Sequence, residues 1–145
     1  MDAEALELGY LIKRAQQALR NTIDPALFDV GLTMAQYAAL YHLRRHSGAS
    51  NAELARLSFV TPQTMVRIVV DLEQRGLISR TRSSHNARVL ESQLSPQGSA
   101  ALDRAQDRVD AVHDRMLDGV LPSEIKRLSK SLVHIAEALE RGLQI

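Results

Sequence analysis

Cysteine and tryptophan are absent from this chain of 145 residues, and aromatic residues make up only 3% of it. The lack of cysteine excludes disulfide bonds, thiolate metal sites, cysteine nucleophiles and thiol-based redox sensing. No uninterrupted apolar run approaches the roughly 20 residues that a membrane-spanning helix needs. The first ten residues carry three acidic side chains, where a secretory signal would be basic. We therefore expect a cytoplasmic protein that does not bind membranes.

The remaining composition is that of a folded globular protein, with 45% hydrophobic and 24% charged residues. A chain of this length forms about one domain. We expect residues 1–145 to make a single domain.

Positive charge is concentrated in the middle of the chain, although the net charge is only +1. Residues 44–90 hold eight arginines, no lysine and three acidic residues, whereas residues 1–43 and 91–145 are each net acidic. Arginine makes planar, bidentate contacts with phosphate and guanine. The middle segment is therefore a candidate nucleic-acid surface, with a solvated basic face as the alternative.

The first half of the chain has the apolar spacing and the capping residues of successive helices. Apolar residues at helical spacing predict an amphipathic helix over residues 4–22 that ends before Pro25. A capping box at Thr33 opens the second helix, and Ser50 caps a short third helix. Thr61 and the proline after it start the fourth helix. The short segment between the third and fourth helices predicts a helix-turn-helix.

The second half begins with a predicted hairpin and continues with two long helices. Residues 77–82 and 88–94 are β-compatible runs joined by a polar loop, which predicts a two-stranded wing. Long helices follow Pro96 and Pro122. The first of them carries apolar residues at alternating steps of three and four, the pattern of a coiled coil: Leu102, Ala105, Val109, Val112 and Met116. The second carries Ile125, Leu128, Leu132, Ile135 and Leu139.

The apolar faces of the terminal helices exceed what a small helix-turn-helix can cover. A homodimer would bury them, and its twofold symmetry would match a palindromic site on double-stranded DNA. Packing of the same helices on one another within a monomer is the alternative.

The predicted fourth helix has a polar face opposite its core face. Gln63 and Arg67 project outward one turn apart, a pair that suits adenine and guanine in the major groove. Thr61 and Thr64 are placed to reach phosphate or a thymine methyl group. An ordinary solvated face is the alternative, but it does not account for Val70 among the outward residues.

Short motifs follow the helix-turn-helix in a fixed order: Gly76-Leu77-Ile78-Ser79-Arg80, Asn86-Ala87-Arg88 and Leu94-Ser95-Pro96-Gln97-Gly98. Together with the capped helices, they resemble the MarR family of winged helix-turn-helix regulators over nearly the whole chain. Asn86 stands where the family usually has aspartate, and Ser95 where it has threonine. Asparagine offers an arginine only a neutral hydrogen bond, which predicts a looser wing tip.

The resemblance implies a mainly α (α+β) fold, with a winged helix-turn-helix at residues 33–95. Dimerisation helices would occupy residues 1–30 and 96–145. It implies a homodimeric, sequence-specific transcriptional repressor that a small ligand releases from DNA. Arg88 would enter the minor groove with Arg82 near phosphate, and we place Ser50 among the DNA contacts. A surface charge is the alternative for Arg88.

All five aromatic residues lie within the first 59 positions. By resemblance to family members that bind aromatic acids where the dimer arms meet the DNA-reading region, the candidate ligand contacts are Tyr10, Arg14, Tyr37 and Tyr41, with Lys13 as an alternative cation. Packing in the core or the interface is the other explanation for these tyrosines.

No motif in the chain predicts an enzyme, a metal site or a cofactor. His42 and His46 lie one helical turn apart, but the glutamate of a zinc motif is missing between them. A nucleophile elbow and a phosphate-binding loop are also lacking. The second interpretation is a winged-helix protein-interaction module without specific DNA binding.

Overall fold

The computed structural model describes residues 2–143. Its elements, in chain order, are α1 (Ala3–Phe28), α2 (Met34–Arg45), α3 (Asn51–Leu57), α4 (Pro62–Gln74), β1 (Ile78–Arg82), β2 (Leu90–Leu94), α5 (Pro96–Leu117), α6 (Pro122–Glu140) and a 3₁₀ helix (Arg141–Leu143). The two strands form one antiparallel sheet, with Ile78 opposite Leu94 and Arg82 opposite Leu90. This mainly helical architecture with a two-stranded wing is the predicted one. None of the described helices is long and apolar enough to cross a bilayer.

The chain groups into two compact units. The first extends to Val112 and contains α1 to α4, both strands and most of α5. The second begins at His113 and contains the end of α5, the whole of α6 and the 3₁₀ helix.

Side-chain caps start the helices where the sequence predicts them. Thr33 and Gln36 form a complete capping box, in which each side chain accepts the other residue's backbone N–H, at 3.1 and 3.0 Å. The hydroxyl of Ser50 accepts from Glu53 N at 3.3 Å, and that of Thr61 accepts from Thr64 N at 3.1 Å. Each such cap stabilises its helix by about 1 kcal/mol.

Two predicted boundaries are wrong. Helix α1 continues past Pro25 to Phe28, because the fully buried Leu27 anchors its last turn in the core. The hydrogen bond that Pro25 removes is the one to the carbonyl of Asn21, an exposed residue that water can reach. In the wing, β2 begins at Leu90 rather than at 88, so Arg88 belongs to the loop.

One apolar core lies within the first unit. It draws on α1 to α5, β1 and the connecting loops, and its fully buried large apolar side chains are Leu27, Leu40, Leu43, Leu54, Met65, Val69, Leu72 and Leu102. Leu102, Ala105 and Val109 of α5 belong to this core, so the predicted coiled-coil seam is wrong over this half of the helix. Because these residues are already covered within one chain and Val112 also packs against the core, Met116 is the residue of this seam that α5 leaves exposed for a partner.

Helix α5 reaches the sheet by a close backbone approach at Gly98. The Ser95 hydroxyl accepts from Gly98 N at 3.0 Å and donates to the carbonyl of Gly76. The backbone N–H of Ser95 donates to Leu77 O at 3.1 Å. A Cβ atom on Gly98 would lie 1.8 Å from that same carbonyl oxygen. The Leu94-Ser95-Pro96-Gln97-Gly98 motif therefore joins the wing to α5, and it requires glycine at its last position.

Candidate nucleic-acid interface

The core fixes the orientation of α4. Met65, Val69 and Leu72 are fully buried, and Ile68 packs against the same core. Since these residues occupy one side of the helix, the opposite side is presented to solvent at a fixed angle.

The exposed side of α4 carries the residues that the sequence pattern turns outward. Gln63, Thr64, Arg67 and Val70 are all exposed. Asp71, at the edge of this side, accepts from Gln36 Nε2 at 2.8 Å, which ties α4 to α2. The predicted orientation is therefore the observed one, whereas the role of these residues in binding DNA is a prediction.

The three hydroxyl groups predicted to contact DNA differ in whether their proton is already used in a hydrogen bond within the protein. Ser50 caps α3 and donates to the Glu53 carboxylate at 3.3 Å, so its hydroxyl is occupied. Thr61 caps α4 and donates to Thr64 Oγ1 at 2.9 Å. The Thr64 hydroxyl accepts that bond and keeps its own proton for a ligand. Of the three, Thr64 is the best placed to donate to a phosphate.

The arginines of residues 44–90 divide into two groups. Five make bonds within the protein: Arg44 to Asp103, Arg45 to Tyr41, Arg75 to Gly31, Arg80 to Glu73 and Arg82 to Ala87. Between residues 2 and 143, no hydrogen bond or ion pair engages the guanidinium groups of Arg56, Arg67 and Arg88. All three are exposed, on α3, α4 and the wing loop respectively.

Arg56 is a third exposed arginine, and no sequence motif singles it out. It lies on the exposed side of α3, next to the buried Leu54 and Ala55. Helical spacing alone predicts that Arg56 points outward. Only the tertiary structure reveals that its guanidinium makes no ion pair with the described residues. The first helix of a helix-turn-helix crosses the DNA backbone, so a free cation there is suited to phosphate.

The wing loop is held by hydrogen bonds to its own backbone. Asn86 Oδ1 accepts from Arg88 N at 3.1 Å, and Ser83 Oγ accepts from His85 N at 3.1 Å. Arg82 Nη1 donates to Ala87 O at 3.0 Å, so its guanidinium also supports the loop. Asn86 thus shapes the loop through a backbone bond that needs no charge on its side chain.

An ion pair fastens the base of the wing to α4. Arg80 donates to both carboxylate oxygens of Glu73, from Nη2 at 2.9 Å and from Nε at 3.2 Å. These hydrogen bonds lower the pKa of the Glu73 carboxyl and raise the pKa of Arg80. Bidentate geometry restricts both side chains, so β1 and the C-terminal part of α4 are tied together.

The structure brings two of the predicted ligand contacts together. The rings of Tyr37 and Tyr41 lie 6.1 Å apart on α2. Tyr37 Oη donates to Gln106 Oε1 at 2.9 Å, and burial raises the pKa of its phenol. Tyr10 is 65% exposed, and Arg14 is also exposed, both on the part of α1 before its buried residues.

The rings of His42 and Tyr41 form a T-shaped pair, with 5.2 Å between centroids, and burial lowers the pKa of the His42 imidazole. Between residues 2 and 143, no three histidine, aspartate or glutamate side chains are grouped so as to hold a metal ion.

Sequence comparison identifies relatives of this chain. Residues 32–90 match the model of the MarR family. Over 115 residues the chain is 37% identical to the HTH-type transcriptional repressor Rv2887 of Mycobacterium tuberculosis (strain ATCC 25618 / H37Rv), covering 79% of this chain and 83% of that protein.

Comparison with solved structures also identifies regulators of the MarR family as similar to this chain. The crystal structure of Rv2887 with DNA has a TM-score of 0.72 at 30% identity, covering 88% of this chain and 96% of that one. The crystal structure of Rv2887 with salicylic acid has a TM-score of 0.72 at 34% identity, covering 88% of this chain and 95% of that one. The crystal structure of CouR from Rhodococcus jostii RHA1, bound to p-coumaroyl-CoA, has a TM-score of 0.82 at 26% identity, covering 94% of this chain and 96% of that one. The predicted resemblance is confirmed, and the chain belongs to the MarR family of transcriptional regulators.

Proposed function

We propose that this chain is a homodimeric, sequence-specific DNA-binding repressor without enzymatic activity, acting in the cytoplasm. Residues 33–95 would contact a palindromic operator, and the dimerisation segments, residues 1–30 and 96–145, would pair with a second copy through the surfaces that the core leaves exposed. One observation carries the proposal: the guanidinium groups of Arg67 and Arg88, on α4 and the wing loop, are exposed and have no partner between residues 2 and 143. The DNA complex of the related Rv2887 supports it.

Helix α4 would read bases in the major groove. Its core contacts leave Gln63 and Arg67 exposed one turn apart, and these side chains pair with adenine and guanine edges respectively. Thr64 would donate its free hydroxyl proton to a phosphate beside the groove. Arg56, on α3, would contact the backbone of the same half-site.

The wing would reach the adjacent minor groove. The hydrogen bond from Arg88 N to Asn86 Oδ1 shapes the loop that presents the Arg88 guanidinium. A narrow minor groove over A·T-rich DNA has a strongly negative potential that attracts an inserted arginine. Arg82, held to Ala87 O, would stabilise the loop and add positive charge near phosphate.

We expect Arg67→Ala and Arg88→Ala to weaken DNA binding in different ways. Arg67→Ala should cost about 1–3 kcal/mol on the preferred site and relax the preference at one base position per half-site. Arg88→Ala should weaken binding more evenly across sequences, reduce the salt dependence by about one counterion, and lose preference for A·T-rich flanks. Salt-titrated isotherms on matched and altered duplexes measure both effects.

Arg104→Ala is the matched control, because this exposed arginine lies on α5, outside the proposed contact surface. It should leave base preference unchanged. If Arg67→Ala keeps the full sequence preference while Arg88→Ala abolishes it, the assignments of α4 and the wing are wrong. If the wild type shows no preference for any duplex, the chain is instead a winged-helix interaction module.

A small aromatic acid would release the repressor from DNA. Tyr37 and Tyr41 form an aromatic pair on α2, and Arg45 Nη1, 2.7 Å from Tyr41 Oη, supplies a nearby cation for a carboxylate. Tyr10 and Arg14 are exposed on α1 and would join the site from the dimer arms. The ligands of Rv2887 and CouR are salicylic acid and p-coumaroyl-CoA, which places aromatic acids and their thioesters first among the compounds to test.

We expect salicylate to raise the melting temperature and to weaken operator binding. A ligand at a hundred times its Kd stabilises the state that it binds by about 2.7 kcal/mol. Differential scanning fluorimetry and a gel shift measure the two effects, with benzyl alcohol as the control that lacks a carboxylate. Absence of both effects across salicylate, 4-aminosalicylate and p-coumarate would contradict this part of the proposal.

A further inference from the structure

The turn between α3 and α4 contains an exposed aromatic residue in a left-handed backbone conformation. Phe59 has a φ of 54°, the only positive value for a non-glycine residue between residues 2 and 143. Phe59 is 92% exposed, more than any other large hydrophobic residue of the described chain. The next residue, Val60, packs against the core, so the turn itself is anchored.

The local fold explains the backbone conformation of residue 59, but it does not explain why this residue is a phenylalanine. Val60 N donates to Ala55 O at 3.1 Å, and Phe59 N donates to Arg56 O at 3.4 Å. This pair of bonds is a Schellman motif, whose left-handed position is usually glycine because a Cβ atom there is strained. Phenylalanine at this position is strained, because its Cβ atom crowds the following carbonyl oxygen, and it leaves its ring in water. Unusual backbone strain of this kind is found at functional sites.

The exposed side chains of the helix-turn-helix indicate what the Phe59 ring would contact. Val66 and Val70 of α4 are 47% and 36% exposed, and they are the other exposed large hydrophobic residues of the helix-turn-helix. The free cations Arg56 and Arg67 lie on the two helices that this turn joins. Exposed apolar side chains, and arginines without a partner between residues 2 and 143, on the same helix-turn-helix complement an anionic surface that also offers apolar groups. Duplex DNA meets this description, because each thymine presents a 5-methyl group in the major groove.

We propose that Phe59 is a specificity-determining DNA contact that packs against the 5-methyl group of a thymine at the edge of the major groove. Phe59 lies two residues before Thr61, the N-cap of α4, so the Cα atoms of these two residues are within about 7 Å of each other. A ring there can reach a base beside those read by Gln63 and Arg67. The inference rests on the proposed DNA-binding function and adds one base position to the recognition surface.

The test uses Phe59→Gly in the whole 145-residue chain, together with a thymine scan of the operator. Glycine adopts a positive φ without strain, so this variant should melt no lower than the wild type. Duplexes selected from a random pool by the wild type define the operator. Each thymine is then replaced by deoxyuridine, which lacks only the 5-methyl group. Affinities of both proteins for all duplexes, and for one unrelated duplex, are compared.

We expect Phe59→Gly to bind the operator about tenfold more weakly than the wild type, with unchanged affinity for the unrelated duplex. In each half-site, one deoxyuridine should weaken the wild type about fourfold, the value of one methyl group, and should leave Phe59→Gly unaffected. Phe59→Leu should restore most of the affinity. The inference is overturned if Phe59→Gly binds the operator with the affinity of the wild type. It is also overturned if no deoxyuridine substitution weakens the wild type while leaving Phe59→Gly unaffected. A wild type that selects no duplex refutes the proposed function instead.

Discussion

Replacing Gly98 by alanine is expected to lower the free energy of unfolding by about 3 kcal/mol or more, as overpacked core positions do. The added Cβ would lie 1.8 Å from Leu77 O and 2.8 Å from Leu77 C, and both are backbone atoms that no side-chain rotation can move. Shifting the strand away would also break the bond from Ser95 N to Leu77 O. Urea titration followed by circular dichroism measures the loss as a lower midpoint at an unchanged slope.

Gly9→Ala is the matched control for Gly98→Ala. Gly9 is exposed within α1, and apart from its chain neighbours and the adjacent backbone of its own helix, no atom of the described residues lies within 4 Å of the Cβ that alanine would add. Removing a glycine from a helix interior should stabilise the protein by about 0.5–1 kcal/mol. Equal midpoints for the two variants would contradict the close contact between α5 and the wing.

Features set by a few neighbouring residues could be predicted from the sequence. The caps at Thr33, Ser50 and Thr61 bond to residues only three positions away, so their signals are complete within a short segment. The outward face of α4 follows from helical spacing alone. The boundary at Pro25 was predicted wrongly because the buried Leu27 outweighs the missing backbone hydrogen bond.

Features set by residues distant in sequence could not be predicted. Arg44 and Asp103 are 59 positions apart in the chain, so the pairing that removes Arg44 from the free cations is invisible in the sequence. The same applies to α5, where Leu102 and Val109 follow a coiled-coil spacing but pack in the core of their own chain. Periodicity identifies an apolar face without identifying what covers it.

Leu132→Asp is expected to abolish both dimerisation and tight operator binding. In α6 the residues Leu128, Leu132 and Leu139 are exposed, and no residue of this helix is fully buried. We propose that a second copy covers this face, so an aspartate there would be desolvated without a partner. A monomer engages only one half-site, and losing the linked second site weakens binding by about 10²–10⁴-fold. Light scattering and a gel shift on the palindromic operator measure both losses.

Lys130→Asp is the control because it places aspartate on the polar side of the same helix, where Lys130 is exposed. Residue 130 lies about 160° around the helix from residue 132 at 3.6 residues per turn. This variant changes the net charge by more than Leu132→Asp does, yet it should remain dimeric. If both variants dissociate, charge rather than the apolar face controls assembly. If the wild type is monomeric at micromolar concentration and still binds a palindrome tightly, the helices at the two ends of the chain have a different role.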